Sequence, residues 1–155
     1  VKRMESLGCE LGNHTYSHVD LTTLAPEDMS AEIAGVDEDL VNLVGHGATV
    51  LRPPYGNIND SVRSTVGTPM ILWSIDTLDW ETQDASQITE AVMSQVQDGS
   101  IILMHDIFST SVDAAEIFIP KLIEEGYQLV TIHELAKIKG TELTTGIAYG
   151  DFTGQ

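Results

Sequence analysis

The chain has a single cysteine, Cys9, which excludes an internal disulfide and leaves the redox compartment open. It is also poor in positive charge. Seven Lys+Arg stand against 24 Asp+Glu, a formal net charge of −17. A surface of that sign repels phosphate backbones and anionic lipid, so electrostatic binding of nucleic acid or of a membrane surface is excluded. An uncharged sugar is easier to reconcile with such a field. No apolar run approaches the ~18–20 residues of a membrane span. No internal repeat or low-complexity segment occurs, and the first residues do not read as a signal peptide. Instead "VKRMESLGCEL" reads as the last turns of an amphipathic helix running into a strand. Further sequence upstream is therefore expected, and localisation is not read from this end.

At 155 residues, 42% hydrophobic and 20% charged, the composition is that of one ordinary globular domain. Apolar runs alternate with helical patterns almost throughout. A strand over residues 9–13 precedes a helix over 26–44, which opens on Pro and acids and stops at Gly45. "ATVLRPP" reads as the next strand and "NINDSVRSTVG" as a short helix with a capping Asn or Asp. "PMILWSI" and "SIILMH" read as buried strands, with "ASQITEAVMSQVQDG" between them as a helix ending at Gly99. The helix in "SVDAAEIFIPKLIEEG" contains Pro120, so a kink or break near Ile119 is expected. "YQLVTI" reads as the last strand and "HELAKIKG" as a final short helix. Five near-continuous apolar strands, each followed by a helix, indicate a parallel α/β architecture. The segment from Thr141 lacks periodicity and reads as a poorly ordered or surface-lying end.

Four polar clusters each follow the C-terminal end of a predicted strand, the edge where β/α folds build sites. In "HTYSH", His14 and His18 have a spacing that can aim two imidazoles at one metal ion. Taken alone, such a pair is more often two polar residues on a turn. "RPPYG" joins the cation of Arg52 to a rigid turn, where Arg52 can orient a carboxylate and the Tyr55 N–H can donate to an oxyanion. A purely structural turn explains that motif equally well. "SIDTLDW" offers Asp76, Asp79 and the aromatic wall of Trp80. "IILMHD" ends an apolar strand at His105, which a neighbouring carboxylate would suit to general-acid work. His46 and His133 read as surface or capping residues. Asp20 and Asp106 are the remaining local carboxylates that could join a metal, and neither has a motif behind it.

In order, HxxxH, RPPYG, DxxDW and LxH resemble motifs two to five of the polysaccharide deacetylases, the NodB-homology or carbohydrate esterase family 4 domain. "GSIILMHD" and "GYQLVTIHEL" further resemble the bacterial peptidoglycan N-acetylglucosamine deacetylase branch. The resemblance implies a distorted (β/α) barrel and hydrolysis of acetyl groups assisted by a divalent metal, zinc first, with cobalt, nickel or manganese as alternatives. By the same resemblance, His14 and His18 match metal ligands and Arg52 the residue holding the catalytic base. Tyr55 matches the oxyanion donor, His105 the acid and Asp79 its partner. Trp80, Leu103, Pro54 and Asp76 fall at substrate-binding positions.

The family's first motif, an Asp-Asp strand end supplying the base and the third metal ligand, has no counterpart in the 13 residues before His14. The chain is therefore expected to be an N-terminally truncated deacetylase domain, residues 1–138, with the first two strands absent and a tail over 139–155. A weak or empty metal site follows, as does near-inactivity of the chain alone. An open sheet edge is expected, prone to dimerisation or strand exchange. The resemblance also implies a polysaccharide substrate, an N-acetylglucosamine polymer or alternatively O-acetylated xylan. It implies an extracellular or cell-envelope parent protein. A catalytically dead sugar-binding or assembly module is the reading from another class.

Overall fold

A computed structural model describes residues 1–154. The opening turns form α1 (Lys2–Ser6), followed by β1 (Gly12–Asn13), α2 (Pro26–Val44) and β2 (Val50–Leu51). Then come α3 (Asp60–Thr65), β3 (Met70–Ile71), β4 (Ile75–Asp76), α4 (Asp79–Thr82) and α5 (Ala85–Gln95). The chain finishes with β5 (Ile102–Leu103), α6 (Ser109–Glu124), α7 (Ile132–Ile138) and β6 (Ala148–Tyr149). Local chemistry explains most helix ends. Pro26 opens α2 and Gly45, at φ 92, closes it. The Asn59 side chain accepts from Val62 N at the start of α3, and Asp84 accepts from Ser86 N and Gln87 N at the start of α5.

All pairings are parallel. One sheet has the order β1-β2-β3-β6, and β4-β5 form a separate pair. The architecture is thus α/β, as expected. The apolar run 69–75 does not form one strand. Leu72 N donates to Tyr149 O on one side, while Ser74 N and Ile75 N both bond Ile101 O on the other, so the run hands over from one sheet to the next at Trp73. Three apolar clusters hold the layers together. Leu21, Met29, Leu51, Val62 and Met70 lie under α2 and α3, and Val50, Ile71, Ile101, Ala136 and Phe152 lie under α7. The third, Ile88, Val92, Ala114, Phe118 and Leu122, joins α5 to α6.

Four expectations are corrected. Residues 127–132 form no strand: no strand pairs with them among the described residues, and Leu129 is 51% exposed. An apolar run becomes a strand only beside a ladder partner, and β5 pairs with β4. The helix predicted to reach Gly99 ends at Gln95, its last carbonyls answered by Val96 N bonding Val92 O. α6 is not broken at Ile119; it runs through Pro120 because Ala114, Phe118 and Leu122 are buried along one face against α5. Finally, the tail is not a surface-lying end. β6 pairs with β3, and Phe152, 1% exposed, stacks on Tyr149 and donates its N–H to Gly99 O. Gly99 has φ +97, and a Cβ there would meet the Phe152 carbonyl carbon at 2.5 Å, so the tail can seat only on glycine. Gln155 of the predicted tail lies outside the described residues.

β1 has β2 as its only partner, so one edge of the larger sheet is unpaired among the described residues. The C-terminal ends of β1, β2, β4 and β5 lead into His14, Arg52, Asp79 and His105.

Candidate active site

These strand ends face a cleft of about 850 Å³ lined by His14, His18, Arg52, Leu103, His105 and Ser111, among others. Beneath two of its lining residues, His105 and Ser111, lies Asp79. Leu78, at φ 52, turns the chain sharply out of β4, and the turn is held by Asp76 Oδ1 accepting from Leu78 N at 3.0 Å. That puts Asp79 in a fully buried position at the start of α4. Its Oδ1 accepts from His105 Nδ1 at 2.8 Å and from Trp80 N at 3.0 Å. Its Oδ2 accepts from the backbone N of His105 at 2.6 Å and from Ser111 Oγ at 2.6 Å. Burial pushes the Asp79 carboxyl up, but the Ser111 hydroxyl and both His105 donors more than offset it and hold the group below the usual carboxylate range. With Nδ1 turned to Asp79, the imidazole keeps Nε2 for proton transfer, and its side chain stays 33% exposed.

The histidine pair sits on a strained loop. Thr15 and His18 both have positive φ, 64° and 57°. Buried Asn13 pins the loop's start, its Nδ2 donating to Ile33 O at 2.9 Å and to Asp37 Oδ1, and its Oδ1 accepting from Thr15 N at 2.9 Å. Glu32 holds the middle through Ser17 N and Oγ at 2.8 and 2.7 Å. His14 and His18 then lie edge to face with ring centroids 4.9 Å apart, and Tyr55 packs on His18 at 5.0 Å. His14 Nδ1 pairs with Arg52 O at 2.6 Å, which assigns the proton to Nδ1 and leaves the Nε2 lone pair free for a cation. Although the ring keeps a solvent-facing edge, the atoms packed around it hold the His14 imidazole below its ordinary range; the bond to Arg52 O works against that shift, and the charges of His18, Arg52 and His105 add to it.

Arg52 presents the opposite condition. Its guanidinium is withdrawn from water, which lowers its pKa, and it reaches only Leu72 O at 3.4 Å. Its Nε is buried with no partner, and no carboxylate pairs with it among the described residues. No group of three or more His, Cys, Asp or Glu side chains gathers to hold a metal among the described residues. Asp20 is engaged elsewhere, Oδ1 capping Thr22 and Oδ2 accepting from Asn57 at 2.7 Å. The histidine pair thus fits two positions of a divalent metal's shell, and the buried guanidinium has no carboxylate beside it among the described residues.

The remaining sequence-derived positions are placed as follows. Tyr55, at φ 60, occupies the left-handed region inside the turn Pro54–Gly56. Trp80 is half exposed beside Asp79, while Leu103 is buried with its carbonyl accepting from Thr77 Oγ1 at 2.8 Å. Pro54 is buried, and Asp76 spends Oδ1 on the Leu78 turn. His133 pairs through Nδ1 and its backbone N with Glu10, which lines the same cleft, and His46 bonds Gly47 O and Glu5 at the surface. Ser111, Asn13 and the Ser17–Glu32 pair support the site without having drawn notice in the sequence. A hydroxyl in the first turn after "HD", and the Asn directly preceding the first histidine, were the available signals.

Residues 1–68 match the family model described as "Polysaccharide deacetylase". The chain is 42% identical over 137 residues to the peptidoglycan-N-acetylmuramic acid deacetylase PdaC of Bacillus subtilis, covering 88% of this chain and 29% of that protein. Against a solved structure of PdaC the TM-score is 0.87 at 41% identity, over 89% of this chain and 68% of that one. The chain belongs to the polysaccharide deacetylase family. A second member, the peptidoglycan-N-acetylglucosamine deacetylase PgdA of Listeria monocytogenes, is 36% identical over 153 residues, 99% of this chain and 32% of that protein. A third, a family 4 acetyl xylan esterase from Clostridium thermocellum solved with a cobalt ion, aligns at TM-score 0.90 and 28% identity over 97% of this chain and 76% of that one. The chain thus spans about a third of the length of these two curated deacetylases. No helix among the described residues is long and apolar enough to cross a membrane.

Proposed function

We propose that this site serves metal-dependent hydrolysis of N-acetyl groups on an N-acetylglucosamine-containing polysaccharide, peptidoglycan or a chitin-like polymer. The observation that carries the reading is the buried Asp79 carboxylate bonded to His105 Nδ1 on the same cleft as the His14–His18 pair. A divalent metal, zinc by its match to imidazole donors and cobalt, nickel or manganese as alternatives, would be held by His14 and His18. When bound, it supplies polarisation of the acetyl carbonyl and a lowered pKa for water. The chain's own residues divide the rest. His105, protonated, gives the Nε2 proton to the leaving amine, and Asp79 stabilises the imidazolium and keeps the ring oriented. The Tyr55 N–H donates to the developing oxyanion. Arg52 orients a carboxylate base that is not among the residues gathered here. Leu103, Trp80, Pro54 and Asp76 shape the acetyl pocket and sugar groove.

Because the base and a third metal ligand are not among the described residues, the 155-residue chain alone is inactive or nearly so. Its unpaired β1 edge, together with exposed Leu129, favours dimerisation or strand exchange. The parent protein works at the cell envelope or outside the cell. The orphaned Arg52 Nε favours one alternative, a catalytically silent sugar-binding module. The acetyl xylan esterase likeness keeps O-deacetylation as a further reading. Acetate release from chitin oligomers, peptidoglycan and acetylated xylan, with and without a supplied carboxylate-bearing segment, tests all three. Release from the N-acetylated polymers only when the segment is present supports the proposal. Robust release by the chain alone contradicts its inactivity, and release from xylan only selects the esterase. No release under any condition, with sugar still bound, selects the silent module.

A further inference from the structure

Serines within helices usually return their hydroxyl to a carbonyl of their own helix. Ser6 bonds Arg3 O, Ser30 bonds Pro26 O, Ser64 bonds Ser61 O and Ser94 bonds Glu90 O. Ser111, in the first turn of α6, does not. It is 2% exposed, and its Oγ reaches across 32 residues of sequence to Asp79 Oδ2 at 2.6 Å. A carboxylate can only accept, so the hydroxyl must donate, and the short separation is that of a charge-assisted bond.

We propose that Ser111 is a positioning residue for the acid, locking the Asp79 carboxylate in its ionised form and in the rotation that points Oδ1 at His105 Nδ1. The purpose of that lock rests on the deacetylase reading above; its existence does not. Three of the four donors on Asp79 are bound to the chain next to the dyad itself: His105 N, His105 Nδ1 and Trp80 N. Ser111 is the one that comes from another element, so it ties the β4 and β5 ends to α6. Without it, Oδ2 keeps only the His105 backbone donor. Burial then works against the charge, since desolvation favours the neutral acid. Asp79 then holds its charge less firmly, and fewer bonds fix its rotation against His105 Nδ1.

The test is an NMR titration of the Asp79 carboxyl carbon in the metal-free 155-residue chain, comparing the native protein with Ser111→Ala and Ser111→Thr. The Ala variant is expected to raise the Asp79 midpoint by about one pH unit, a roughly tenfold gain in proton affinity from one lost charge-assisted bond. The Thr variant is expected to restore it. A second readout is the His105 ring ¹⁵N spectrum at neutral pH, where loss of the lock reduces the share of the Nδ1–H tautomer. A folded Ala variant that moves neither readout overturns the proposal, because filling space alone would not couple to them. Should Ser111→Ala fail to fold, Ser111→Cys, similar in size with a weak donor, takes its place with the same expected shifts and the same overturning result. Neither readout depends on acetate release, so failure of the deacetylase reading, seen as no release from the N-acetylated polymers even with the carboxylate-bearing segment supplied, leaves this one to be decided on its own.

Discussion

The two halves of the cleft are provisioned differently. On one side, Asp79 is fully buried, and each of its oxygens accepts two hydrogen bonds. On the other, Arg52 is withdrawn from water with its Nε unanswered, beside two histidines that no third ligand joins among the described residues. A buried charge is tolerable when its partners are in place and costly when they are not. The acid half therefore stabilises the fold as it stands. The histidine half is held in place by its loop, and its buried guanidinium is left without a carboxylate among the described residues.

Removing the carboxylate of the complete half should have the largest effect. Asp79→Ala strands the Ser111 hydroxyl and His105 donors in a buried site and is expected to cost about 3–5 kcal/mol by denaturant unfolding. Next comes the anchor of the histidine loop. Asn13→Ala leaves Asp37 and Thr15 N short of a partner and is expected to cost about 1–3 kcal/mol, with a roughly tenfold loss in any metal affinity measured by competition. The incomplete half should answer with the opposite sign. Arg52→Met removes an unpaired buried cation and is expected to leave stability unchanged or raise it by about 1 kcal/mol. A loss of several kcal/mol on Arg52→Met would erase the contrast.

The contrast also has a pH signature. Asp79's folded pKa is lowered, so its contribution to stability is present above the ordinary carboxylate range and is lost as pH falls through the depressed folded value. His14's pKa is lowered too, so it stays neutral, and able to bind a metal, below the ordinary histidine midpoint. On acidification through the carboxylate range the native chain should therefore lose more stability than Asp79→Asn does, each measured relative to its own neutral-pH stability. Coincident normalised curves would rule that out.

Much of this was legible in the residues. α2 spans residues 26–44 as its Pro26 and Gly45 signals dictate, and Asn59 caps α3 as expected, because capping is local chemistry. A carboxylate from "SIDTLDW" beside His105 followed from two apolar strands that do pair, in register Asp76 to Leu103, while the choice of Asp79 as that carboxylate was implied by the family resemblance. What stayed hidden depends on partners distant in sequence. Residues 127–132 carry a strand's pattern, and only the absence of a neighbouring ladder leaves them unpaired. The tail shows no periodicity, yet two residues pair with β3 and one phenylalanine fills a gap over Gly99. Ser111 looks like any serine opening a helix until Asp79 is seen beside it.

The most direct test of the imbalance is a calorimetric titration of zinc into the metal-free chain at neutral pH, repeated with His14→Ala and His18→Ala. Two imidazoles without a carboxylate should give one weak site, with a dissociation constant above about 1 µM, abolished in either variant. Binding worth about 10 kcal/mol or more, the strength of complete structural zinc sites, would mean that the described residues already supply a full ligand set and would contradict the account.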